Sequence, residues 1–134
     1  MKTPTILTWV ARVIAAVLLL QTLFFKFSGA AESVQLFTQL GVEPWGRIGT
    51  GVFELIASAL ILIPATAWLG SIMAIGLMTG AIFSHVFVIG ILRNDGGLLF
   101  SYAVIIFACA LFSFWMSRSQ VPAPVRKFLP SFLK

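Results

Sequence analysis

Four stretches of this chain, residues 4–27, 46–64, 67–92 and 97–117, are almost wholly apolar. Each is long enough, at 1.5 Å per helical residue, to cross a hydrocarbon core about 30 Å thick. Lipid offers no hydrogen bonds, so each run must satisfy its own backbone, and four such runs predict four packed α-helices. Composition agrees: of 134 residues, 60% are hydrophobic and 10% charged, with a mean hydropathy of +1.05. A soluble domain of this size could not bury that much apolar surface. The expected fold is an all-α integral membrane four-helix bundle.

The boundaries follow from local chemistry. Thr3 is placed to cap the first helix, with Pro4 at its first position. Between the first two runs, Val34, Phe37 and Leu40 recur at helical spacing before Gly41. They predict a short amphipathic interfacial helix between helices 1 and 2. Pro64-Ala65-Thr66 reads as a hinge, and "RNDGG" (residues 93–97) as a turn, with Asn94 and Asp95 as usual turn formers. Residues 1–117 make up the transmembrane domain, and 118–134 a basic, proline-containing tail along the headgroups. The first run is interrupted by Arg12 and ends near Lys26, which argues against a cleaved signal peptide.

The net charge of +5 does not point to nucleic acid, because the basic residues lie at the ends of apolar runs and in the tail. An even number of crossings puts both termini on one side. That side carries Lys2, Arg12, Arg118, Arg126, Lys127 and Lys134, against Lys26, Arg47 and Arg93 on the other. The positive-inside rule then places the N and C termini in the cytoplasm. Trp9, Trp45, Trp68 and Trp115 fall near run ends, as interfacial anchors do. Gly70 with Ala74, and Gly76, Gly80 and Ser84, carry the spacing of close helix contacts and are expected to serve bundle packing. The single cysteine, Cys109, excludes an intrachain disulfide and reads as a small core residue. The single histidine excludes a bis-histidine haem held by this chain alone, and no covalent cofactor or metal is expected.

One layer of polar residues interrupts this pattern. Glu54 falls about 12 Å below the outer end of its helix, His85 about 12 Å, Gln21 about 9 Å and Tyr102 about 8 Å. All four helices thus contribute to one outer-half layer. An intramembrane acid costs about 2.5–3.5 kcal/mol on insertion scales unless something neutralises it. Side chains lean toward their helix N-terminus, so Lys26 leans inward while Glu54 leans outward, and the two can pair. Arg12, about 12 Å from the inner end, leans the other way and is the weaker partner. Each residue also has a plain structural role open to it. Lys26 and Arg12 can snorkel, Glu54 can merely lock two helices, and His85 can be a hydrogen-bonded core imidazole.

These residues carry a family resemblance. An early arginine (Arg12), "FFKFSG" closing the first helix, "FELIASALILIP" in the second and a late histidine in the third are similar to the DoxX family. The family's usual pattern is an arginine, a glycine–x–x–lysine step, then a glutamate in a leucine-rich helix with paired glycines. The likeness spans roughly Val10 to Trp115 and carries over Arg12, Lys26 and Glu54, with His85 a looser match. Two features depart from it: "QTLFF" stands where the glycine precedes the lysine, and Ala57 and Ser58 replace the paired glycines. The resemblance implies a multi-pass protein of a bacterial or archaeal inner membrane, linked to redox chemistry through quinone or a partner protein.

Three functions compete. The first is a redox-associated accessory subunit binding a quinone or similar lipophilic molecule through Gln21, Lys26, Glu54, His85 and Tyr102, with Glu54 and His85 as the candidates for proton exchange. The chain has no flavin or nicotinamide motif and no iron–sulfur cysteines, so an oxidoreductase acting alone is not expected. The second is a non-enzymatic scaffold or assembly factor, with Lys26–Glu54 a structural ion pair. The third is a small transporter or proton pathway, disfavoured because Arg12 alone marks the inner half. Expected partners are membrane lipids, a redox protein or a second copy of the chain.

Overall fold

The computed structural model describes residues 3–90, 97–127 and 131. Helix α1 (Thr3–Ser28) is followed by the short α2 (Ala31–Gln39), then α3 (Trp45–Leu62), α4 (Ala67–Ser84) and α5 (Leu98–Ser117). Among the described residues there is no strand. Residues Thr5–Ser28, Trp45–Leu62, Pro64–Ile89 and Leu98–Ser117 are long and apolar enough to cross a membrane. The protein is an all-α membrane bundle.

The helix ends have identifiable causes. Thr3 lies inside α1 instead of capping it, a shift of the size that helix ends commonly show. α3 stops at Leu62 because Pro64 forces Ile63 into extended backbone, φ −98°, ψ 119°. A 3₁₀ turn, Pro64–Thr66, makes the corner, and the Thr66 hydroxyl donates to the Leu60 carbonyl at 2.9 Å. α4 widens into a π-helical turn over His85–Ile89, closed where the Gly90 N–H donates to the His85 carbonyl at 2.9 Å. Gly90 has φ +96°, a backbone few other residues adopt. The third apolar run therefore reaches Ile89 as helix. Arg93, Asn94 and Asp95 lie outside the described residues.

The four long helices form a ring in which α1 packs on α3 and α5, and α4 closes the far side against both. Their common core is small: Ala15, Ala16, Leu19, Ile61, Ala74, Met78, Ala103, Ile106 and Ala110. Without a hydrophobic driving force between helices in lipid, close backbone approach and van der Waals contact hold such a bundle. Gly70 marks the tightest crossing, where a methyl group would meet the Ala57 carbonyl oxygen at 2.8 Å and the Ile61 backbone nitrogen. Gly76 and Gly80 behave otherwise than expected. A methyl group on either meets nothing within 4 Å, so this stripe faces outward and takes no part in bundle packing.

α2 lies across the end of the bundle where α1 finishes. Phe37 is its buried anchor, Val34 and Leu40 are half-buried, and the Gln39 side-chain amide donates to the Val88 carbonyl at 3.3 Å. Beyond α5, a 3₁₀ turn (Arg118–Gln120) and α6 (Ala123–Arg126) begin the tail. Val121 is buried, so the tail starts by packing against the bundle instead of spreading along the surface.

Candidate functional site

Two polar clusters sit at different depths. At the end where α1 finishes, Lys26 Nζ donates to both Glu54 carboxylate oxygens, at 3.0 and 2.9 Å. It also donates to Thr22 Oγ1 at 3.1 Å. The Thr22 hydroxyl lies 3.1 Å from Glu54 Oε2 and 2.9 Å from the Leu19 carbonyl, and its single proton can serve either. Ser58 Oγ donates to the Glu54 backbone carbonyl at 2.8 Å. Glu54 itself is 3% exposed. The carboxylate is thus neutralised by the ammonium four positions after Thr22 on one helical face, and both charges keep hydrogen bonds in a low-dielectric site.

A second ion pair braces the first. Arg47, buried at the start of α3, donates from Nε to Glu43 Oε1 at 2.9 Å and Oε2 at 3.1 Å. Its Nη1 donates to the Lys26 backbone carbonyl, one of the carbonyls that the end of α1 leaves without a helical partner. Glu43, Arg47, Lys26 and Glu54 therefore form one chain of charge-assisted contacts that ties the α2–α3 connection to the α1–α3 seam.

His85 stands apart from that chain. It is 5% exposed, and its Nδ1 lies 2.8 Å from the Ala81 carbonyl. A carbonyl can only accept, so Nδ1 carries the proton, and in the neutral imidazole Nε2 is left as an acceptor. That Nε2 is buried and has no hydrogen-bond partner among the described residues. The ring centroid lies 6.0 Å from that of Phe100.

The other sequence candidates fall differently. Gln21 is exposed on the outer surface of α1, and its neighbour Thr22 takes the place beside Glu54. Tyr102 is half-buried on α5. Arg12 is not a partner of Glu54: it lies about 15 Å before Thr22 along α1, and its Nε donates to Ser113 Oγ at 3.0 Å. Ser71 Oγ donates to the same Ser113 Oγ at 2.8 Å, and the guanidinium lies 5.3 Å from the Trp9 ring centroid. The half of the bundle near the start of α1 is therefore richer in polar groups than Arg12 alone suggests. Along α1, Ala15, Ala16 and Leu19 lie between it and the Glu54 cluster.

Sequence reasoning missed Thr22, Arg47 as a buried group, Ser71 and Ser113. Thr22 had a signal, since it precedes Lys26 by one helical turn on the same face. The two serines had none, because a hydroxyl in an apolar helix usually bonds its own backbone. Ser117 does so here, donating to the Ser113 carbonyl at 2.7 Å.

An antiparallel four-helix membrane bundle with an intramembrane Lys–Glu pair is the class that fold and site define. The DoxX-like family matches residues 10–113, which include Arg12, Lys26, Glu54 and His85, and the chain belongs to that family. No curated protein and no solved structure matches it.

Proposed function

We propose that this chain is a non-enzymatic accessory subunit of the membrane, a scaffold or assembly factor in which the Lys26–Glu54 pair locks α1 to α3. The observation that carries this reading is the closed pair: Lys26 spans both carboxylate oxygens at 3.0 and 2.9 Å, with Thr22 occupying a further position. A carboxylate held in this way is committed to helix packing and is poorly placed to exchange protons with a ligand. The test is charge exchange. Glu54→Gln should lower the thermal stability of the detergent-solubilised protein, and Lys26→Glu combined with Glu54→Lys should restore much of it. Unchanged stability in Glu54→Gln, with loss of a co-purifying lipophilic molecule, would sink the lock.

A second reading keeps the redox-associated role and moves its ligand to His85. It is favoured by the buried Nε2 that has no partner among the described residues. Because Nδ1 holds the proton, the neutral ring accepts a hydrogen bond, which suits the hydroxyl of a reduced quinone-class molecule better than a carbonyl. Mass spectrometry of lipophilic molecules retained by the parent and by His85→Phe tests it. A quinone-class species held by the parent and lost from the variant supports the reading, and equal retention by both overturns it.

A further inference from the structure

Arg12 is a buried cation with no carboxylate partner among the described residues. It is 6% exposed and sits within a membrane-spanning helix. Of the four acidic residues in the sequence, the three among the described residues are not available to it. Glu54 is held by Lys26, and Glu43 by Arg47. Glu32 is exposed on α2, across the opposite end of the bundle. Asp95 lies outside the described residues, in the connection between Gly90 and Gly97. Among the described residues, the hydrogen bond to Ser113 uses only Nε, leaving the Nη groups of the guanidinium fork for another acceptor.

The surroundings say what that acceptor is attached to. The guanidinium lies over Trp9, one turn nearer the start of α1. Trp9 in turn lines an open apolar groove of about 370 Å³ with Ile6, Val10, Val13 and Ile14. A cation and a hydrocarbon-lined groove sharing one aromatic wall match a molecule that is anionic at one end and aliphatic at the other. Arginine is suited to phosphate because its planar fork can give two parallel hydrogen bonds. The structure assigns Arg12 and the Trp9 groove as a binding site for an anionic phospholipid: its phosphate pairs with the Arg12 Nη groups beside Trp9, and an acyl chain runs from there toward the bilayer centre past Val13 and Ile14. This site is separate from the Glu54 cluster and from His85, and stands whichever reading of those residues holds.

Trp9 also reports on its own site. With Trp45, Trp68 and Trp115 changed to Phe, quenching of Trp9 fluorescence by brominated phosphatidylglycerol and brominated phosphatidylcholine in vesicles measures headgroup preference. High salt shortens the Debye length to about 3 Å at 1 M, which suppresses attraction from the exposed basic tail. Trp9 should be quenched several-fold more effectively by the anionic lipid even at high salt, and Arg12→Gln should abolish that preference. A companion protein retaining only Trp45, at the opposite end, should show none. Equal quenching by both lipids, or a preference unchanged in Arg12→Gln, would overturn the site. Should Arg12→Gln not fold, the comparison of Trp9 with Trp45 in the Arg12 protein decides alone, since equal preference at both positions also overturns it. Loss of the preference on adding inorganic phosphate would show a free-anion site and overturn the lipid assignment.

Discussion

At the scale of single residues, Glu54 shows what a carboxylate inside a membrane helix requires. An ammonium spans both its oxygens, and a threonine hydroxyl and a second ion pair hold the ammonium's helix in place. Removing one partner leaves the other charged and buried, which costs about 3–5 kcal/mol in comparable sites. Lys26→Met is therefore expected to destabilise the protein by about that much, while Lys26→Met with Glu54→Leu should recover most of the loss. Reversible unfolding in mixed micelles would measure both. Thr22→Val removes a neutral hydroxyl and should cost about 1 kcal/mol in the same assay. The approach of Lys26 to Glu54 was legible from depth and side-chain lean. Gln21 is exposed while Thr22 faces Glu54, because one residue turns the helix by about 100° and carries the side chain from the seam to the surface.

At the scale of helices, the glycines of α4 separate into two kinds that sequence spacing does not distinguish. Gly70 sits where α4 crosses α3, and a methyl group there would press on the Ala57 carbonyl. Gly70→Ala is expected to lower stability by about 1–3 kcal/mol, as overpacking does. Gly76→Ala, on an open face, should be neutral or stabilising by about 0.5–1 kcal/mol. Thermal unfolding of the two variants side by side would check the contrast, and equal losses would contradict the packing described. The π-turn at His85–Ile89 was equally hidden. Its register depends on where Gly90 ends the helix, and on α2 docking against Val88.

At the scale of the molecule, the ring of α1, α3, α4 and α5 puts the start of α1 beside the end of α5, as the Arg12–Ser113 contact shows. The start of α1 and the end of α5 therefore lie at the same end of the bundle. Reporter fusions at the N- and C-termini should give the same answer, and the excess of basic residues at that end leads us to expect the cytoplasmic one. Opposite answers from the two fusions would require a different number of crossings.

What the sequence determined by itself is set by period and length: the number of spans, the interfacial α2, the proline-driven corner at Ile63–Pro64 and the approach of Lys26 to Glu54 through opposite side-chain lean. These depend on helix rise, on hydrophobicity and on local backbone sterics, all of which act along the chain. What the tertiary structure alone decided depends on which faces meet. That includes Ser71 and Ser113 converging on Arg12, Arg47 reaching the Lys26 carbonyl, His85 Nε2 left without a partner among the described residues and Gly76 turned outward. Helix rotation about its own axis is fixed by packing against neighbours, and in a run apolar on every side the pattern of residues leaves that rotation open.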